Sequence, residues 1–286
     1  MIEKNTRTFI PVIYDCNNNC ISCPVPIYMK RENPTFEEII LDIDKISNYS
    51  NHIEFNGGEP TIRKDMIKIL KYCESKDFQE ISILTNVEML SYEDYVKKLS
   101  KIRNLKIITT LYGHNSKIHD AITKTPGSFE RKIKGIKNLI KYGINIELRI
   151  LLHKMNYKHF NELTDFLIKR FNSTNFQRVA IMNPKLTCNA AKYREAVMEN
   201  IINISGVLNE PISKLIREDF KIELYHFPHC ILPRELWQYS KGITAEETEI
   251  IFPNFCEECV KRKKCSGIWR SYYVLMKGAE EFEPIK

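Results

Sequence analysis

Nowhere in the 286 residues is there a run of about eighteen apolar side chains, which excludes a membrane-spanning helix. The opening Met1-Ile2-Glu3-Lys4 lacks the apolar h-region of a signal peptide, so a cytoplasmic protein with no membrane partner is expected. In that compartment nine cysteines read as metal ligands or reduced thiols, not disulfides. A recognised RNA-binding motif is also missing, and the net charge of +7 is modest. The basic residues Arg131, Lys132, Lys134 and Lys137 read as the solvated face of a helix whose other side carries Ile133, Ile136 and Ile140.

What is present is a cysteine triad without a fourth member. Cys16, Cys20 and Cys23 form C-x3-C-x2-C, and the next candidate ligands are only His52 and Cys73. Soft thiolates suit an iron–sulfur cluster or zinc, but a structural zinc takes four protein ligands. Three thiolates on one loop hold three corners of an iron–sulfur cube and leave one iron open. Farther on, Asn51 to Asn56 reads as a strand running into Gly57-Gly58-Glu59-Pro60. Glycines there allow backbone to come close to a ligand.

Together, the two motifs resemble the radical S-adenosylmethionine (SAM) superfamily. That resemblance implies a [4Fe–4S] cluster on Cys16, Cys20 and Cys23, with SAM chelating the open iron. It assigns the SAM amino contact to the turn Gly57, Gly58, Glu59 and Pro60. Candidate SAM contacts at later strand ends are Thr85, Asn86, Thr110 and Arg149, the last a planar bidentate donor for a carboxylate. One departure is Ser22, where the family often carries an aromatic residue beside the adenine.

Element order agrees with a parallel sheet. Apolar runs at Phe9–Tyr14, Ile53–Phe55, Ile81–Leu84, Leu105–Leu111, Ile144–Leu151 and Arg178–Ile181 alternate with helical patterns, one opened by the capping box Thr35 to Glu38. Gly113 to Asp120 reads as a loop. The fold class is α/β, and by resemblance a partial (β/α)6 TIM-type barrel over residues 1–190, with a small cysteine-rich α+β extension over 191–286. Chemistry in such barrels sits at the strand carboxyl ends. Tyr112, His114, His119 and Glu147 are candidates there for acid–base work, each equally readable as an ordinary residue.

In the extension, Cys230, Cys256, Cys259 and Cys265 make a second four-thiolate set, with Lys261 to Lys264 placed to offset its charge; Cys73 and Cys188 are left over as buried thiols. Spacing alone suits a zinc ribbon, but the stretch resembles the auxiliary [4Fe–4S] region called twitch or SPASM in radical SAM enzymes. His226 or His229 is an alternative fourth ligand.

As the resemblance implies, the chain is an oxidoreductase or transferase-type enzyme that reductively cleaves SAM to a 5′-deoxyadenosyl radical and abstracts a substrate hydrogen. Its electron would come from an external one-electron reductant such as flavodoxin or ferredoxin. The leading substrate expectation is a peptide or protein side chain, which Cys23-Pro24-Val25-Pro26 also suggests, with a separate peptide-recognition protein as partner. Alternatives are a sugar, aminocyclitol or nucleoside, or, from another class, a non-catalytic metal-binding RNA module using Tyr272 and Tyr273.

Overall fold

The computed structural model describes residues 8–25, 31–244, 246–276 and 282–286. Pro26 and the first four residues, on which expectations above touched, lie outside them.

Seven strands make one parallel sheet in chain order: β1 (Thr8–Ile13), β2 (His52–Gly57), β3 (Glu80–Leu84), β4 (Leu105–Thr110), β5 (Asn145–Leu151), β6 (Arg178–Met182) and β7 (Ile222–Tyr225). The intervening helices are α1 (Phe36–Ser47), α2 (Met66–Glu74), α3 (Glu93–Leu99), α4 (Ser116–Thr123), α5 (Ser128–Lys141) and α6 (Phe160–Arg170). Four short helices then precede β7: α7 (Cys188–Lys192), α8 (Arg194–Val197), α9 (Ile201–Gly206) and α10 (Asn209–Arg217). A hairpin of β8 (Ile250–Ile251) and β9 (Ile268–Trp269) and helix α11 (Arg270–Leu275) end the order. Two differences from the sequence reading stand out. The parallel sheet has a seventh strand, drawn from the segment assigned to the extension, and the expected loop after β4 holds α4.

The chain forms two compact units: residues 1–19, 25–110 and 123–147, and residues 20–24, 111–122 and 148–286. In the first, β2 pairs with β1 and β3, and β3 with β4, so that Glu54, Ser82 and Lys106 stand side by side in register. The strands read as nearly continuous buried runs because both sheet faces are covered. Lys106 is buried and its ammonium bridges Glu80 and Glu147, which makes Glu147 part of an internal ion pair. Helix α1 shows the expected capping box, Thr35 with Glu38, and buries Ile39, Ile43 and Ile46.

On α5 the solvated face holds only in part. Lys134 and Lys137 are exposed, whereas Lys132 is buried and donates to the Asn86 carbonyl (2.9 Å) and Thr109 Oγ1 (2.8 Å). Arg131 pairs with Glu88 at 2.6 Å. A lysine stem long enough to cross the helix–sheet gap explains why periodicity put Lys132 outside. In the second unit β6 pairs with β7, and Ala180, Met182 and Tyr225 pack with Leu151.

Candidate functional site

At the carboxyl end of β2, the chain turns through two glycines, Gly57 and Gly58, where an added Cβ would meet backbone. Gly57 has φ of 116°, and a Cβ on it would lie 2.2 Å from the Ile13 carbonyl oxygen. One on Gly58 would lie 2.0 Å from the Asp15 oxygen. The turn is instead zipped to the chain leaving β1: Gly58 N–H donates to Ile13 O at 2.6 Å and Glu59 N–H to Asp15 O at 2.8 Å. Sequence reading gave these glycines to ligand approach. The backbone they approach within the chain is that of the segment that delivers Cys16. Arg63, donating to the Val12 and Pro34 carbonyls, and Asn33, bonded to Tyr14 N and Asp15 Oδ2, brace the same segment.

Glu59 is buried and closes the turn from inside. Its Oε1 accepts from Thr61 N–H (2.9 Å), the Thr61 hydroxyl and the Thr85 hydroxyl (2.6 Å), and its Oε2 accepts from Asn86 N–H (2.6 Å). Burial pushes its carboxyl pKa up, opposed by these donors. Pro60 opens the 3-10 turn that follows, for which Glu59 is the N-cap. Since Thr85 Oγ1 also accepts from Val87 N–H (2.9 Å), the side chains of Glu59 and Thr85 are both committed to holding the ends of β2 and β3 together. Asn86 extends the brace, donating through Nδ2 to Asn17 Oδ1 at 2.7 Å within the cysteine loop. Thus Gly57, Gly58, Glu59, Pro60, Thr85 and Asn86 converge at the carboxyl ends of β2 and β3. Thr110 closes β4, and Arg149 lies within β5.

The geometry around Glu59 makes a prediction. In Glu59→Gln, an NH2 group must face either Asn86 N–H or the Thr61 and Thr85 donors, leaving at least one buried donor unpaired. The variant is expected to lose about 2–3 kcal/mol of stability in denaturant titration. An unchanged midpoint would mean that the carboxylate does not organise the turn.

The far end of the cysteine loop has its own clamp. Asn189, buried on α7, donates from Nδ2 to Cys20 O at 3.0 Å and from its backbone N–H to Cys23 O at 3.2 Å. Sequence reasoning missed this residue, because nothing in the periodicity of residues 183–192 marks one asparagine as a partner for a distant loop. Cys188, just before it, has φ of 55° and is half-buried, not the buried thiol expected; Cys73 is fully buried as expected, and burial pushes its thiol pKa up. Ser22 is buried, with no partner for its hydroxyl among the described residues.

None of the nine cysteines, all among the described residues, is in a disulfide, and Cys16, Cys20 and Cys23 are each half-buried. Asn18 N–H lies 3.4 Å from Cys16 Sγ, a contact suited to a thiolate or a metal-bound sulfur. Three soft donors on a loop held by main-chain bonds fit an iron–sulfur cluster.

Cys230, Cys256, Cys259 and Cys265 line one pocket, walled by apolar residues such as Phe252, Phe255 and Phe282. Burial, and then the neighbouring thiols Cys265 and Cys256, push the Cys230 pKa up to about 12; burial and Cys265 push that of Cys256 up to about 11. Crowded thiolates of this kind call for a positive centre among them, so the donor set fits a metal group. Yet among the described residues no three His, Cys, Asp or Glu side chains converge on a single-ion position. Arg262 lines the pocket, and Lys261 lies over the Trp237 ring, 5.0 Å from its centroid. His229 faces the pocket, whereas His226 does not and stacks on Trp269 instead.

Of the acid–base candidates in the second unit, His119 accepts Tyr112 N–H on Nδ1 at 3.2 Å, and the Tyr112 ring packs on both His119 and His153. His114 Nε2 meets Asn115 Nδ2 at 2.7 Å, and burial lowers its pKa. Trp269 and Tyr272 are buried, donating to Asn183 O and accepting from Ile201 N–H respectively.

A turn that grips a cysteine loop at the carboxyl edge of a parallel sheet defines a class of enzyme, and comparison bears it out. The Radical SAM superfamily profile matches residues 10–167, and the chain belongs to that superfamily. It is 30% identical over 155 residues to Fe-coproporphyrin III synthase of Methanosarcina barkeri, covering 53% of this chain and 38% of that protein. It is 24% identical over 176 residues to a probable GTP 3′,8-cyclase of Sulfurisphaera tokodaii, covering 59% and 55%. The chain thus spans about half or less of these relatives' length. Streptococcus suis SuiB, solved bound to precursor peptide SuiA, superposes with a TM-score of 0.63 at 19% identity over 79% of this chain and 49% of SuiB. The structure of anSMEcpe with bound AdoMet and Kp18Cys peptide gives a TM-score of 0.52 at 17% identity, over 62% and 50%. These likenesses establish the fold as that of the radical SAM partial barrel. No helix among the described residues is long and apolar enough to cross a membrane.

Proposed function

We propose that this enzyme modifies a peptide or protein side chain oxidatively, by hydrogen abstraction at the mouth of its barrel. The observation that carries the SAM chemistry is the coupling of the Gly57-Gly58-Glu59 turn to the segment carrying Cys16 through two backbone hydrogen bonds. Cys16, Cys20 and Cys23 would hold the SAM-binding [4Fe–4S] cluster, and Cys230, Cys256, Cys259 and Cys265 an auxiliary one. SAM held at the first cluster, with one electron from an external reductant, would supply radical chemistry, the abstraction of a hydrogen atom from substrate.

The chain's own residues do the rest. The glycine turn and Asn86 offer main-chain groups beside the cysteine loop, and Arg149 offers a planar cation for a carboxylate. Four cysteines lining one pocket support a metal centre there, and the radical SAM context favours an iron–sulfur cluster over zinc. Cys230, Cys256, Cys259 and Cys265 would supply all four protein ligands of an auxiliary cluster, whose chemistry there would be electron transfer. An external reductant and a separate peptide-recognition protein complete the expected partners. Peptide chemistry is supported by the fold shared with SuiB and anSMEcpe, each solved with a peptide. The likeness to a probable GTP 3′,8-cyclase favours a nucleotide as the second reading. Membership of an enzyme superfamily sets aside the RNA module.

The test is mass spectrometry of a library of short candidate peptides after incubation with reconstituted enzyme, SAM and a reductant. Loss of two hydrogen atoms from one residue is the expected result. An unchanged library, with GTP consumed in a parallel reaction, would transfer the proposal to the nucleotide.

A further inference from the structure

The pocket lined by Cys230, Cys256, Cys259 and Cys265 holds one further side chain with a polar atom to spare. His229 lines it too and is only 6% exposed. Its carbonyl accepts the Trp237 indole N–H at 3.0 Å, and its ring meets that indole edge-on, the planes 87° apart and the centroids 5.5 Å apart. One tryptophan thus steadies both the main chain and the imidazole. Ring Nδ1 is buried and has no partner among the described residues. Proteins seldom leave such an atom unpaired unless something else supplies the partner.

The chemistry of the pocket decides what that nitrogen does. Thiolates and sulfides only accept hydrogen bonds, so a ring nitrogen turned to them must carry a proton, whether the imidazole is neutral or charged. One donor to sulfur is visible in the pocket: Gly267 N–H lies 3.4 Å from Cys265 Sγ. Much of the remaining wall is apolar, with Phe252, Phe255 and Phe282, and a low local dielectric strengthens each donor within it. Arg262 and the exposed Glu283 also line the pocket, and their charges oppose each other.

We propose that His229 donates Nδ1–H to a sulfur of the cluster in this pocket and thereby raises its reduction potential, fitting it to take up an electron. This inference rests on the reading of the four cysteines as ligands of an iron–sulfur cluster and adds the side chain that tunes it. Reduction adds one electron to a group ringed by thiolates, so the reduced form accepts the hydrogen bond more strongly than the oxidised one.

The experiment uses the full chain with Cys16, Cys20 and Cys23 replaced by alanine, anaerobically reconstituted, in which iron is expected in this pocket alone. Its midpoint potential is read by dithionite titration with electron paramagnetic resonance (EPR), beside iron, sulfide and zinc contents. His229→Phe keeps a ring against Trp237 but removes the donor, whereas His229→Asn places an amide N–H near the Nδ1 position. The Phe variant is expected to keep its iron and to take up an electron about tenfold less readily, a midpoint about 59 mV more negative for a one-electron couple. Asn is expected to restore most of that shift. A second measurement leaves His229 in place: pulsed EPR of protein carrying ring-¹⁵N histidine should show a weak ¹⁵N coupling, that of a hydrogen bond, which His229→Asn removes. It decides the matter should the Phe variant lose its iron. A strong coupling, that of nitrogen bound to iron, would overturn the proposal in favour of ligation; an unchanged midpoint in the Phe variant, or no ¹⁵N coupling at all, would overturn it outright. Zinc in place of iron in this pocket would instead sink the auxiliary-cluster reading, and the proposal with it.

Discussion

Simultaneous replacement of Cys16, Cys20 and Cys23 by alanine is expected to reduce the iron of anaerobically reconstituted protein from about eight to about four atoms per chain. Formation of 5′-deoxyadenosine should cease altogether. The reasoning is local: these three thiols share one loop, whereas Cys73 is fully buried and the tail cysteines line a pocket of their own. The remaining iron then reports on Cys230, Cys256, Cys259 and Cys265. Iron and sulfide analysis with zinc determination checks both sites at once. About four irons plus one zinc in the wild type would make the tail site a structural zinc; a triple variant that still cleaves SAM would displace the chemistry from this loop.

A single methyl group at residue 58 should be nearly as damaging. In Gly58→Ala the new Cβ would lie 2.0 Å from the Asp15 carbonyl oxygen, a backbone atom with no rotamer through which to retreat. Either the turn or the segment carrying Cys16 must move, breaking the bonds from Gly58 N–H to Ile13 O and from Glu59 N–H to Asp15 O. A loss of about 4 kcal/mol or more is expected, at the severe end for one substitution. Iron retention should fall with it. Gly206→Ala is the control, because nothing lies within 4 Å of its added Cβ; its effect should stay within about 0.5 kcal/mol. Equal denaturation midpoints and iron contents for the two variants would mean that the glycine turn is not the anchor of the cysteine loop.

The β–α alternation was legible because each strand is a short apolar run and each helix carries one apolar stripe, as with Ile39, Ile43 and Ile46 on α1. Both cysteine sets and the glycine turn were legible because spacing alone carries them. That the strand-like run from Ile222 joins the same sheet was not, since four short helices between residues 188 and 217 interrupt the rhythm. Lys132 misled because periodicity reports where a side chain starts, not where its ammonium ends. Glu59 was legible as a site residue, but its role as an internal acceptor depends on Thr85 and Asn86, over two dozen residues away. Asn189 left no signal, because it acts through carbonyls of a remote loop.

The Asn189 clamp also carries a temporal consequence. Its side chain and its bonding partner Cys20 are separated by 169 positions, so during synthesis the thiols emerge long before the residue that steadies their loop. Closing so long a loop comes late. Until residue 189 has been made its two bonds, to Cys20 O and Cys23 O, cannot form, and the loop of Cys20 and Cys23 is without its clamp.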